Sequence, residues 1–148
     1  MPMSSYVRSV RAKIGHDLLI LPGVTAVIRD GDRFLLARQR DTKRWSLVGG
    51  GVEPDEQPRD AIAREVREEL GVAPRIVRVV GAYGGPELRS VLPNGDEVAY
   101  VTIAYECALP AGELALEEHE LLETAWFTRT EVASLTRHVW IDRVLADA

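Results

Sequence analysis

A chain of 148 residues is about one domain on the usual length prior, and it can bury a respectable single core. With 46% hydrophobic and 28% charged residues it reads as soluble and globular, and its net charge of −5 argues against a general nucleic-acid binder or a stable nucleic-acid complex. The one cysteine, Cys107, excludes an intrachain disulfide and reads as a small core hydrophobe within a strand.

In chain order, Ser4 or Ser5 caps a helix whose Tyr6, Val7, Val10 and Ile14 recur at helical spacing, so 1–16 forms an N-terminal helical segment ended by Gly15. Residues 18–21 predict a short strand stopped by Pro22-Gly23. A hairpin follows, with strands over 24–29 and 33–40 around the turn Asp30-Gly31-Asp32. After a polar loop at 41–44, the strand 45–48 runs into Gly49, Gly50 and Gly51, read as a loop. Pro58 opens a helix over 58–70 that Gly71 stops. Residues 75–83 are β-rich, and Pro93-Asn94-Gly95-Asp96 joins a strand near 88–92 to a long one over 98–107. A short strand at 124–127 precedes a helix capped by Thr130 and running to 135, and 139–146 predicts a C-terminal helix.

No repeat, low-complexity stretch or linker interrupts 1–148, which is read as a single domain. Hairpins mixed with a few helices predict the α+β class, with helices packed on a mixed sheet. The most apolar stretch, 18–28, is broken by Pro22-Gly23 and too short to span a bilayer, and no signal peptide is visible. The expectation is a cytoplasmic protein with no membrane partner.

The helix over 58–70 carries the chemistry. At about 100° per residue, Glu69 and Glu68 lie roughly 40° and 60° to either side of Glu65, while Ile62, Val66 and Leu70 form the core stripe. Three like charges on one short face repel one another. Hard divalent cations prefer oxygen ligands, and such ions can clamp the attacking and leaving oxygens of a displacement at phosphorus. The cluster is costly without a cation and sensible with one. Taken alone, a Glu/Arg-rich helix face is usually a solvated surface. The three glycines ahead of it shift that balance, because they let backbone come close to a ligand.

Gly50 through Glu56 and Arg64 to Val72 fit the pattern glycine, five residues, glutamate, seven residues, then Arg-Glu-apolar-x-Glu-Glu-x-Gly-apolar, without a mismatch. From average residue usage a chance match is on the order of one in a billion per starting position. The chain thus resembles the Nudix hydrolases (MutT-like) over roughly 18–135, with 50–72 as the Nudix box. Val48 stands where many relatives have proline, and Asp55 where glycine is frequent.

The resemblance implies a mixed β-sheet sandwiched between α-helices, and hydrolysis of a nucleoside diphosphate linked to another group with Mg²⁺ or Mn²⁺ as cofactor. It implies Glu65, Glu68 and Glu69 as metal ligands, a carbonyl ligand from Gly50, and Arg64 holding a glutamate in place, with Glu56 bracketing the helix beside Arg64. A further glutamate from the loop before Trp126 is expected as metal ligand or general base. Glu120 is favoured over Glu117 and Glu118, and Glu65 is the other candidate base. His119 lies beside Glu120.

Arg38 and Arg40 alternate along one strand, and Arg44 follows with Lys43 in the loop; a phosphate-binding role for the three stands beside a solvated strand face. Tyr83, Tyr100 and Tyr105 are read as packing residues before base-stacking ones, and His16, His119 and His138 lack zinc spacing. Nothing resembles the signature of NADH-cleaving or coenzyme A-cleaving subgroups. ADP-ribose and nucleotide sugars are the favoured substrates, on the cue of Pro86, with (d)NTPs and dinucleoside polyphosphates behind. A small-molecule nucleotide is the expected partner, and many relatives are homodimers. The rival reading is a Nudix-fold sensor that binds a nucleotide without hydrolysing it.

Overall fold

The structure is a computed structural model and describes residues 3–148; the first two residues of the N-terminal segment lie outside it. Helix α1 (Ser5–Ile14) is capped by Ser4, whose hydroxyl accepts from the Val7 N–H at 3.1 Å, and ends at Gly15. It buries no residue. Arg11 ties it down instead, donating to the carbonyls of Asp17 and Glu97 at 2.6 Å each.

The long strand β1 (Leu19–Asp30) is the spine of the molecule. It runs through Pro22-Gly23 rather than stopping there, parallel to β7 (Glu97–Ala108). The Pro22 carbonyl accepts from the Val52 N–H, on the edge away from β7, so the donor that proline lacks also falls outside the β1–β7 ladder. A two-residue turn leads to β2 (Arg33–Gln39), which pairs with β3 (Trp45–Ser46) and with β8 (Leu121–Thr128). Strand β4 (Val48–Gly51) pairs antiparallel with β1, while β5 (Arg75–Tyr83) and β6 (Arg89–Val91) pair antiparallel with β7.

Alternation along the strands sends side chains to two cores. Val24, Ala26, Ile28, Leu35 and Ala37 meet Ile62, Val66 and Leu70 of α2 (Pro58–Leu70) on one side. On the other, Val27, Phe34 and Leu36 meet Val132 of α3 (Arg129–Val132) and Ile141, Val144 and Leu145 of α4 (Ile141–Asp147). The α+β class and the sheet sandwiched between helices are as expected. Among the described residues no helix is long and apolar enough to cross a membrane.

Two further local expectations need correction. The cap of α3 is Thr128, not Thr130: its hydroxyl accepts from the Glu131 N–H and the Glu131 carboxylate accepts from the Thr128 N–H, a reciprocal box that Thr130, three residues before Ala133, cannot form. The glycines 49–51 form strand β4 and not a loop, and none adopts a left-handed φ. Gly49 is required by close approach, since a Cβ there would collide with the Val24 carbonyl oxygen.

Candidate functional site

The site forms where β4 passes the face of α2. The Val52–Pro22 hydrogen bond sets the phase of the β1–β4 ladder, and in an antiparallel pair bonded and non-bonded positions alternate. Val24 and Gly50 therefore occupy a bonded position, and the Gly50 carbonyl points into the sheet. Gly49 and Gly51 turn their backbone groups to α2. The Gly49 N–H donates to Glu69 Oε2 at 3.2 Å, and the Gly51 carbonyl accepts from Arg64 Nη2 at 2.9 Å. The backbone facing the carboxylates is thus that of Gly49, not the expected Gly50, because the glycines lie in a strand with a period of two.

Arg64 organises the glutamates. It donates to both oxygens of Glu56 at 2.8 and 3.0 Å and to Glu65 Oε1 at 2.9 Å. Glu56 also accepts from the Glu53 N–H, so the loop after β4 is closed on itself. The Arg64 hydrogen bond holds the Glu56 carboxyl below its ordinary range, while the Glu56 contact above all raises the guanidinium further.

Glu65 and Glu69 are buried, 1% and 7% exposed. Burial pushes Glu65 up to about 7 against the pull of Arg64. Glu69 is raised further, by burial first and then by the charges of Glu65 and Glu120. The Glu120 side chain hydrogen-bonds that of Glu69. Glu120 reaches this position because its loop is fastened to the end of α2: the Glu117 N–H donates to the Glu69 carbonyl and the Ala115 N–H to that of Leu70. Gly71 permits the approach, with φ of 73° and only 2.8 Å between the place of a Cβ and Ala115 Cβ. Glu117 does not join the cluster in the same way, since its carboxylate accepts from the His119 N–H. Glu68 sits apart on the exposed side of α2, 3.4 Å from Arg64.

This donor set is all oxygen and strongly anionic, which fits a hard divalent cation. Among the described residues no three carboxylate, imidazole or thiol groups already converge on one point. Glu68 is exposed and only 3.4 Å from Arg64, while burial raises Glu65 and Glu69, a cost that a cation beside them would offset.

A cleft of about 820 Å³ opens above the cluster, lined at its floor by Gly23, Thr25, Gly49, Gly50, Glu69, Thr102 and Glu120. Thr25 and Thr102 share a buried hydrogen bond of 2.7 Å there. Of the three arginines singled out in the sequence, only Arg44 lines the cleft. Arg38 is paired with Glu123 at 2.6 Å, and Arg40 donates to the Glu118 carbonyl at 2.6 Å. Arg40 lies past the end of β2, so the strand alternation that put both on one side does not reach it. Tyr105 is core and Tyr83 bonds Asp147, but Tyr100 lines the cleft, as do His119, His138 and Trp140.

A family model described as NUDIX domain matches residues 19–148. The chain belongs to the NUDIX family of hydrolases. The match extends past 135, where the resemblance was expected to end, and leaves α1 outside. Among Nudix relatives, the NAD-capped RNA hydrolase NudC of Mycobacterium tuberculosis is 37% identical over 132 residues, covering 85% of this chain and 39% of NudC. The chain thus spans about two fifths of the length of that relative. The MutT NUDIX hydrolase of Burkholderia pseudomallei superposes with a TM-score of 0.72 at 23% identity, over 88% of this chain and 98% of the other. An ADP-ribose pyrophosphatase of Streptococcus suis gives 0.59 at 24% identity, over 85% and 90%.

One departure from the Nudix pattern has a structural counterpart. Asp55, at a position where glycine is frequent, has φ of 66°, the left-handed region that glycine occupies without cost. Gln39, His138 and Trp140 were not singled out as site residues in the sequence. They are 99 and more positions apart along the chain at the extremes, and no local spacing links them; only the pairing of β2 with β3, and the Trp45 carbonyl accepting from the His138 N–H, brings them together.

Proposed function

We propose that this chain is a divalent-cation-dependent hydrolase that cleaves the pyrophosphate bond of a nucleoside diphosphate linked to another group. The observation that carries this reading is the buried Glu65–Glu69 pair, whose Glu69 accepts from the Gly49 N–H, bonds Glu120 and with it lines an open cleft. A bound Mg²⁺ or Mn²⁺ supplies charge for the diphosphate and for the negative charge that grows on the phosphoryl oxygens.

Glu65, Glu69 and Glu120, with Glu68 turned in from the exposed side of α2 and the Gly49 carbonyl, would hold the cation. Arg64 orients Glu65 through the 2.9 Å hydrogen bond and cannot itself serve as base, being a fixed cation. Glu120 or Glu65 takes the proton of the attacking water; a carboxylate raised towards neutrality suits that role. Arg44 lines the cleft, which supports a contact to phosphate or base, whereas Arg38 and Arg40 brace β8 and the 117–120 loop.

ADP-ribose and nucleotide sugars remain the favoured substrates, ahead of (d)NTPs. The rim segment opened by Pro86, with Glu87 and Leu88 against the cleft, supports a substrate that continues beyond the diphosphate. The name of the NudC relatives adds an NAD-type dinucleotide to that class. Incubation with Mg²⁺ or Mn²⁺ and a panel of ADP-ribose, UDP-glucose, NAD⁺ and dNTPs, with chromatography of products, tests this. Release of a nucleoside monophosphate from the first three is expected. Tight binding without turnover of any of them would make the protein a nucleotide sensor instead.

A further inference from the structure

The geometry points to Arg40 as the residue that positions Glu120 beside Glu69. For its effect on turnover this rests on the hydrolase reading; for the placement of the loop it does not.

The 117–120 loop has to be held. It carries Glu117, Glu118 and Glu120 towards a helix that already bears Glu65, Glu68 and Glu69, and like charges push the two apart. Within the loop, donors turn inward. The N–H groups of Glu120 and Leu121 donate to the Glu117 carbonyl at 3.1 and 2.9 Å, and that of His119 donates to the Glu117 carboxylate at 3.0 Å. Arg40 takes the carbonyls of both Glu118 and Glu120. Its Nε donates to the first at 2.6 Å and its backbone N–H to the second at 2.8 Å.

The strands prepare this contact. Phe34, Leu36 and Arg38 of β2 oppose Phe127, Ala125 and Glu123 of β8. Strict alternation would put Leu121 on the face of Phe127, away from α2. The register shift sets Gln39 opposite Leu121, one step on β2 against two on β8, and Leu121 enters the core that α2 covers. Such a bulge re-aims the chain beside it. Here it turns the loop ahead of Leu121 to the α2 side, where Arg40, next after Gln39, meets it. The Glu69 carbonyl secures the loop from the helix, accepting from the Glu117 N–H at 3.0 Å. Glu120 thus stands between two anchors. Arg40 is exposed and does not line the cleft, so removing its side chain takes away no ligand contact there.

The test has two arms on the whole protein. In the first, amide hydrogen exchange of metal-free Arg40→Met should speed up at Glu117, Glu120 and Leu121. In the second, kinetics with Mn²⁺ follow the fastest substrate among ADP-ribose, UDP-glucose, NAD⁺ and dNTPs. Arg40→Met should lower kcat about tenfold with KM within about twofold of the parent, as a misplaced group outside the ligand contacts would. Arg40→Lys should recover part of the loss, and it carries the same measurements if Arg40→Met does not fold. In a Glu120→Gln background the arginine substitution should cost nothing further, since Arg40 acts through that carboxylate. Equal losses in both backgrounds, a change in KM alone, or parent-like exchange at the three amides overturns the inference. No turnover of any panel member by the parent, with the three amides still faster in Arg40→Met, would remove the hydrolase reading and leave Arg40 as the anchor of the loop. Turnover with exchange indifferent to Arg40 would do the opposite.

Discussion

Arg64 meets Glu56 through two parallel hydrogen bonds, Nε to Oε2 at 2.8 Å and Nη2 to Oε1 at 3.0 Å, across the loop that joins β4 to α2. The same guanidinium reaches Glu65 and the Gly51 carbonyl. One side chain therefore sets the distance between glycine strand and glutamate helix, and the orientation of the carboxylate at the centre of the cluster.

Arg64→Lys keeps the charge but loses the planar fork. It is expected to lower stability by about 2 kcal/mol, the scale of hydrogen bonds to charged groups. Turnover should fall with it, because Glu65 loses its fixed orientation. Urea unfolding and steady-state kinetics on the same preparation check both; a lysine variant that matches the parent in each would remove Arg64 from its organising role.

Glu69→Gln separates stability from activity. It removes one of two adjacent buried carboxylates and keeps the shape, so metal-free protein should unfold at a higher temperature at pH 8. Hydrolysis should drop at least about a hundredfold. Glu68→Gln should lose activity on the same scale without the gain in stability, since Glu68 is exposed. Parent-like rates from both variants would dismiss these ligands.

The metal-free protein should become less stable as pH rises from 5 to 9. Glu65 is raised to about 7 and Glu69 is raised further, so the folded state binds more protons than the unfolded chain across this window. The stabilisation from these two groups is complete below their ordinary carboxylate range and is lost as pH climbs through their folded values. Saturating Mn²⁺ should flatten the slope, because it keeps both carboxylates ionised, and its uptake should release protons at pH 6. Thermal melts across pH, with and without the ion, measure this; a slope of the opposite sign in the metal-free protein would contradict the buried pair.

Asp55→Gly should stabilise the protein by about 0.5 kcal/mol. A left-handed non-glycine residue costs about 1–2 kcal/mol, and the extra freedom of glycine in the unfolded chain returns roughly 0.5–1 kcal/mol of that. Chemical denaturation resolves the difference. Destabilisation would show that the Asp55 side chain carries a role beyond its backbone angle.

Much of this molecule is legible in its residue order. The core stripe Ile62, Val66 and Leu70, the stop at Gly71, the box from Gly50 to Val72 and the α+β class all follow from local spacing, because helix periodicity, caps and a contiguous motif are encoded within about twenty residues. What spacing cannot express is which backbone group faces which helix, or which distant loop arrives beside it. The phase of the β1–β4 ladder assigned Gly49 rather than Gly50 to the carboxylates, and partners distant in the chain, Glu123 and the Glu118 carbonyl, engage Arg38 and Arg40 away from the cleft lining. The meeting of Glu120 with Glu69, and of His138 with Gln39, depends on pairings made across the whole chain. Hydrogen-bond registry and desolvation are properties of those pairings, so only the folded chain could decide them.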